Sequence, residues 1–183
     1  MIRLFVALRP PRAVRRVLLD LAGGVPGARW QDDAQLHLTL RYIGEVDERV
    51  AEDVAIALSQ LRAPVPTVHL GGVGRFANRG RTDVLWAGVA PHDALVALHR
   101  KIDRALVRLG LPPEHRAFLP HITLARLPRS AGAEGEVDAW IAANLALTSA
   151  PFAIDRIVLN ESTLGRDGAR YDVLAQWPLN AVG

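Results

Sequence analysis

The chain has 183 residues, half of them hydrophobic and 22% charged, which suits one domain with a sizeable core and excludes a disordered polymer. It contains no cysteine, so disulfides, Cys-ligated zinc, iron–sulfur clusters and thiol nucleophiles are all excluded. Net charge is +3 with a sequence pI of about 10.1, and Lys101 is the only lysine among 22 basic residues, so an arginine-rich surface favours an anionic partner such as nucleic acid.

Residues 2–8 read as a first strand. The apolar run ends at Arg9-Pro10-Pro11, too short for a signal sequence or a membrane span, and no later apolar run reaches 18 residues. A cytoplasmic protein without a membrane segment is therefore expected. Val14, Val17, Leu18 and Leu21 share one helical face, and Gly23-Gly24 stops that helix. Residues 35–43 read as a strand ending at Gly44. Asp47 is placed to cap a helix carrying Val50, Val54, Leu58 and Leu61.

Two strand-like runs follow, 65–73 and 84–89, around a Gly/Arg/Asn-rich loop at 76–82. Gly71-Gly72-Val73-Gly74 lacks the G-K-[ST] ending of a phosphate loop and reads as a turn. Leu95, Leu98, Ile102, Leu106 and Leu109 form the clearest helical stripe, closed by Gly110 and Pro112. A further strand begins near residue 118, a weaker helix spans roughly 136–147, and strands run near 152–160 and 170–177. Strands and helices recur in the same order on both sides of residue 90. We expect a single α+β domain over residues 1–183, built of two pseudo-symmetric lobes, roughly 1–90 and 91–183 with possible strand exchange. Each lobe would be a mostly antiparallel sheet backed by helices, with the active-site cleft between them.

The most informative feature is a tetrapeptide that occurs twice: His37-Leu38-Thr39-Leu40 and His121-Ile122-Thr123-Leu124. Strand alternation turns Leu36, Leu38 and Leu40 into a core and His37 with Thr39 the other way; Ile122 and Leu124 do the same for His121 and Thr123. Two outward pairs of imidazole and hydroxyl suggest two halves of one site. Free imidazole titrates near ~6.5, so one ring can act as base while the other acts as acid. The hydroxyls can donate to phosphoryl oxygens. That chemistry suits phosphodiester cleavage without a metal. Neither copy carries His-x-His or His-x-x-x-His spacing, and no G-x-S-x-G elbow is present. His69, His92, His99 and His115 have no matching context and read as surface or structural.

The chain resembles the 2H phosphoesterase superfamily, defined by two His-x-Thr-x motifs in symmetric lobes. Within it, it is similar to the RNA 2′,3′-cyclic phosphodiesterases, formerly described as RNA 2′-5′ ligases. Residues 3–7, the extended motif 37–44, Gly74-Arg75-Phe76 before Val84-Leu85-Trp86, and residues 120–126 carry the resemblance, with Glu161-Ser162, Tyr171 and Trp177-Pro178-Leu179. It implies that His37 and His121 are the catalytic pair, that Thr39 and Thr123 hold the phosphate, and that Arg126 matches a family arginine. Simple alternation would put Arg126 on the face opposite His121, so the strand must end, bulge or twist there. Tyr42, the first-copy counterpart of Arg126, faces the nucleoside or packs in the core, and Phe5 stacks on a base or is a buried strand residue.

The implied activity is hydrolysis of RNA 2′,3′-cyclic phosphate ends to a 2′-phosphomonoester, with water attacking phosphorus and the 3′-oxygen leaving. His121 is assigned as base and His37 as acid. The same groups would also support reversible 2′-5′ RNA ligation. No cofactor or metal is expected, the partner is an RNA end bearing a cyclic phosphate, and the expected state is a monomer. Alternatives are another small cyclic nucleotide, ADP-ribose cyclic phosphate, a 2′-5′ oligonucleotide, or an RNA-end-binding protein without turnover.

Overall fold

The computed structural model describes residues 1–180. In chain order its elements are β1 (Ile2–Leu8), α1 (Arg12–Leu19), β2 (Arg29–Trp30), β3 (Leu38–Val46), α2 (Glu48–Ser59), β4 (Thr67–Asn78) and β5 (Arg81–Ala90). Then come α3 (Asp93–Arg108), β6 (His121–Arg126), α4 (Glu134–Asn144), β7 (Phe152–Ala153), β8 (Arg156–Gly165) and β9 (Gly168–Pro178). The strands form one sheet in the order β7-β4-β5-β6-β3-β1-β8-β9, with β2 on β6, and neighbouring strands run antiparallel. This is the α+β class that the sequence predicts. Spatial order is not chain order: β8 and β9 lie beyond β1 rather than beside β6.

The apolar positions explain the layering. Leu4, Val6 and Leu8 of β1, Leu38 and Leu40 of β3, and Ile122 and Leu124 of β6 are all buried. Against that side pack α2 and α3, whose stripes Val54/Leu58 and Leu95/Leu98/Ile102/Leu106 are buried too. Asp47 accepts a hydrogen bond from the Val50 amide at 2.8 Å and caps α2 as the sequence predicts. His99 is structural: its Nδ1 bonds the Leu40 carbonyl at 2.6 Å and its ring stacks on Phe118 at 4.3 Å. Arg41 is buried and paired with Asp103 at 2.7 Å, which ties β3 to α3. With α2 and α3 on one side, the opposite side of the central strands is left for a site. No described helix is long and apolar enough to cross a membrane.

Several expected boundaries need correction. The first motif strand starts at Leu38, not at residue 35, and continues through Gly44 to Val46. The expected loop at 76–82 is strand almost throughout: β4 and β5 pair up to Asn78 and Arg81, joined by Arg79-Gly80, both with positive φ (52° and 77°). That is a two-residue hairpin, and composition alone overstated its loop. Gly71-Gly72 is not a chain-reversing turn but a break in register inside β4, where Gly72 donates its amide to the Leu147 carbonyl at 2.8 Å. The second motif strand begins at His121 rather than near 118, the weak helix spans Glu134–Asn144, and the two-residue β2 was not anticipated.

Candidate active site

The two motif strands begin side by side. Leu38 pairs with Ile122, and from there β3 and β6 run off in opposite directions. Extending that antiparallel register by one residue each way sets His37 opposite Thr123 and Thr39 opposite His121. All four side chains then share the face that Leu38 and Ile122 leave, and all four are half-buried. Diagonal neighbours on adjacent strands lie about 7–8 Å apart, a gap that one phosphate between the imidazoles can bridge.

Each strand then breaks its alternation at the same point. Ala7 pairs with Thr39 and Val6 with Arg41, which leaves Leu40 as the extra residue of a bulge. Trp86 pairs with Thr123 and Leu85 with Ala125, which leaves Leu124 as the extra residue of the second. Two consecutive residues therefore face the core in each copy, Leu40-Arg41 and Leu124-Ala125, all of them buried. The next residue returns to the site face: Tyr42, 44% exposed, in the first copy and the exposed Arg126 in the second. Of the three ways in which Arg126 could rejoin His121, the bulge is the one found.

The histidines are held alike. Nδ1 of His37 bonds the Gln35 carbonyl at 2.6 Å, and Nδ1 of His121 bonds the Leu119 carbonyl at 2.7 Å. A carbonyl only accepts, so each Nδ1 carries hydrogen and each neutral ring has a bare Nε2. Nε2 of His37 lies 3.0 Å from Thr39 Oγ1, whose hydroxyl donates to it in that tautomer. Both imidazoles titrate below the usual histidine value. His37 is pushed down to about 4, mainly by burial, with the charges of Arg126 and His121 adding to it against the raising effect of its Gln35 bond. His121 is lowered by burial and by Arg126, against its own Leu119 bond.

This has a consequence for stability. An unfolded histidine titrates near ~6.5, so between there and about 4 the unfolded chain binds the extra proton at position 37. Stability is expected to fall as pH drops through that window, by about 3 kcal/mol for the whole shift at one unit per ~1.4 kcal/mol. His37→Gln should lose that contribution. The melting-temperature gap between variant and wild type should therefore move in the variant's favour from pH 7 to pH 4, whereas parallel melting curves would contradict the lowered value.

Aromatic rings surround both histidines. Phe5 is 4% exposed and lies 4.9 Å from the His37 ring, with Tyr171 of β9 edge-on to both at 5.1 Å. On the other side Phe76 is edge-on to His121 at 4.8 Å and Trp86 lies 6.2 Å from it. Gly74 faces Trp86 across the β4–β5 pair, and a Cβ there would stand 2.3 Å from the indole. A cleft of about 570 Å³ contains Phe5, His37, Thr39, Tyr42 and Arg126, joined by Arg3, Arg29, Ser162 and Tyr171. Thus the structure brings His37, Thr39, Tyr42, Phe5 and Arg126 to one cleft, with His121 and Thr123 beside them in register.

Among the described residues no group of three or more His, Cys, Asp or Glu side chains comes together to hold a metal ion. The sequence reading gave no site role to Gln35, Phe76, Trp86, Tyr171 or Arg29. Phe76, Trp86 and Tyr171 stood in the motifs of the resemblance, but their contact with the histidines depends on strand pairings far apart in sequence. Arg29 had no signal beyond the arginine-rich composition.

A family model described as the 2′-5′ RNA ligase superfamily matches residues 10–166 of the chain. A protein of Aeropyrum pernix named RNA 2′,3′-cyclic phosphodiesterase is 37% identical over 105 residues, 57% of this chain and 59% of its own. One of the same name from Geobacillus stearothermophilus is 27% identical over 170 residues, 92% of this chain and 53% of its own. The chain therefore spans little more than half the length of these two relatives. A solved structure from Thermus thermophilus superposes with a TM-score of 0.81 at 25% identity, covering 98% of each chain. The doubled motif, its bulged strands and the family match over most of the chain agree: this protein belongs to the 2′-5′ RNA ligase superfamily.

Proposed function

We propose that the chain hydrolyses RNA 2′,3′-cyclic phosphate ends to 2′-phosphomonoesters without a metal, with His37 and His121 as paired acid and base. The proposal rests on the repeated tether, in which each Nδ1–H is committed to a main-chain carbonyl two residues upstream and each Nε2 is left for chemistry. The name shared by the two curated relatives supports the substrate class.

His121 Nε2 takes a proton from water as its oxygen bonds to phosphorus. The bond from phosphorus to the 3′-oxygen breaks, and Nε2–H of His37 protonates that oxygen. Thr39, Thr123 and Arg126 donate to the non-bridging oxygens, whose charge grows in the transition state. The acid needs a proton that the free His37, titrating at about 4, does not hold at neutral pH. An anionic phosphate between the rings favours their charged forms, so the proton enters with the substrate. Once Nε2 of His37 is protonated it no longer accepts from Thr39, and that hydroxyl is free to turn to the phosphate. With a 5′-hydroxyl in place of water, the same groups make a 2′-5′ linkage without ATP.

The test is a mononucleoside 2′,3′-cyclic phosphate incubated in excess chelator, with the position of the product phosphate identified. Full turnover to the 2′-phosphomonoester is expected. A 3′-phosphomonoester would overturn the assignment of the leaving oxygen, and EDTA inhibition reversed by a divalent ion would overturn metal independence. Binding without any turnover would leave an RNA-end-binding protein.

A further inference from the structure

Arg29 has no role in the chemistry above, yet its position is energetically costly as it stands. It belongs to the two-residue strand β2, which pairs with the second motif strand so that Arg29 lies directly opposite Arg126. Directly opposed residues of an antiparallel pair share a face, and like charges there repel. Both arginines are exposed, and neither has a carboxylate within ion-pairing distance among the described residues. Arg3, which lines the same cleft, does have an acidic partner, Glu45 at 2.7 Å. The pair is also held in place. Trp30 packs on Trp140 at 5.6 Å, and the Gln31 amide donates to the Leu124 carbonyl at 2.8 Å, so β2 cannot easily carry Arg29 away.

Two cavities meet at this pair. One is the cleft holding His37 and Thr39; the other, about 210 Å³, runs on past Gln35 toward the tip of the β8–β9 hairpin. Among the described residues Asp167 is the one acidic residue lining the second cavity, so the wall shared by the two keeps a net positive charge. Uncompensated guanidinium groups side by side, fixed at the rim of a phosphate-sized cleft, match an anion that bridges or follows the first one.

We propose that Arg29 binds a second phosphate of the substrate, the internucleotide phosphodiester next to the cyclic end, while Arg126 serves the reacting phosphate. The inference rests on the function proposed above and makes oligonucleotide ends better substrates than mononucleotides. A mononucleoside 2′,3′-cyclic phosphate has one phosphate and leaves Arg29 idle. A dinucleotide with a cyclic end has two and engages it. The second contact also adds a counterion-release contribution, about 0.7 in the slope of log affinity against log salt for a single-stranded ligand.

The experiment compares kcat/KM of the full chain on these two substrates, with salt-dependent binding of the dinucleotide, for wild type, Arg29→Ala and Arg29→Lys. Arg29→Ala is expected to lower the dinucleotide-to-mononucleotide ratio about tenfold at low salt and to flatten the salt slope by roughly 0.7. Arg29→Lys should restore the slope and part of the ratio. Equal losses on both substrates would mean that Arg29 acts on the reacting phosphate or on the fold, and an unchanged ratio and slope would mean that it is only a solvated charge. Either result overturns the proposal. A wild type that turns over neither substrate would instead overturn the function on which it rests.

Discussion

Alanine in place of either His37 or His121 is expected to lower kcat by about 10²–10⁴-fold, the usual worth of a positioned proton transfer. Alanine at Thr39 or Thr123 should cost about 10²-fold or less, as expected of one phosphate donor. The pH profile alone cannot divide the histidine roles. With His37 titrating at about 4 and His121 also lowered below the usual histidine value by burial, kcat/KM should trace a bell whose optimum lies on the acid side of neutrality. That bell has the same shape whether His37 must be protonated and His121 neutral or the reverse, because each form carries one proton. A leaving group that needs no proton does separate them. On a nitrophenyl phosphodiester the acid is dispensable, so His37→Ala should recover most of its loss while His121→Ala should not. Equal defects on both substrates would refute the division of roles even if both histidines are essential.

How much of this was legible in the sequence follows from the range of the interactions involved. The first strand was read to the residue because its alternation and the following prolines are local signals. So was the α2 cap, since Asp47 and the Val50 amide are three residues apart. The motif strands were recognised from His-x-Thr with buried neighbours on either side, and the need for the strand to end, bulge or twist before Arg126 followed from parity alone. Where the bulge falls could not be read, because it is set by the partner strands: Val6 and Ala7 for Leu40, Leu85 and Trp86 for Leu124. The tethers of His37 and His121 use carbonyls two residues away, but strand alternation carries no information about them. Arg29 was the least legible. Its meaning comes from a neighbour 97 positions later, placed there by a two-residue strand that no periodicity could reveal.

Gly74→Ala is expected to damage the His121 side of the site without touching a titrating group. The new methyl would stand 2.3 Å from the Trp86 ring, a separation that packed carbon atoms do not adopt, so the indole must shift. Phe76 lies 5.5 Å from Trp86 and 4.8 Å from His121, so a displaced indole disturbs both the Phe76 ring and the imidazole that the two rings flank. Overpacking of this kind costs about 1–3 kcal/mol of stability. The effect on turnover should be larger, because a misplacement of about 1 Å in a catalytic group can cost roughly 10²-fold. A second substitution separates this cause from general damage. Trp86 Nε1 is buried with no hydrogen-bond partner among the described residues, so exchanging the indole for a smaller ring breaks no bond. Trp86→Phe in the Gly74→Ala background should therefore recover part of both the melting temperature and kcat. If the double variant is no more active than Gly74→Ala alone, the glycine matters for the β4 backbone itself and not for the ring behind His121.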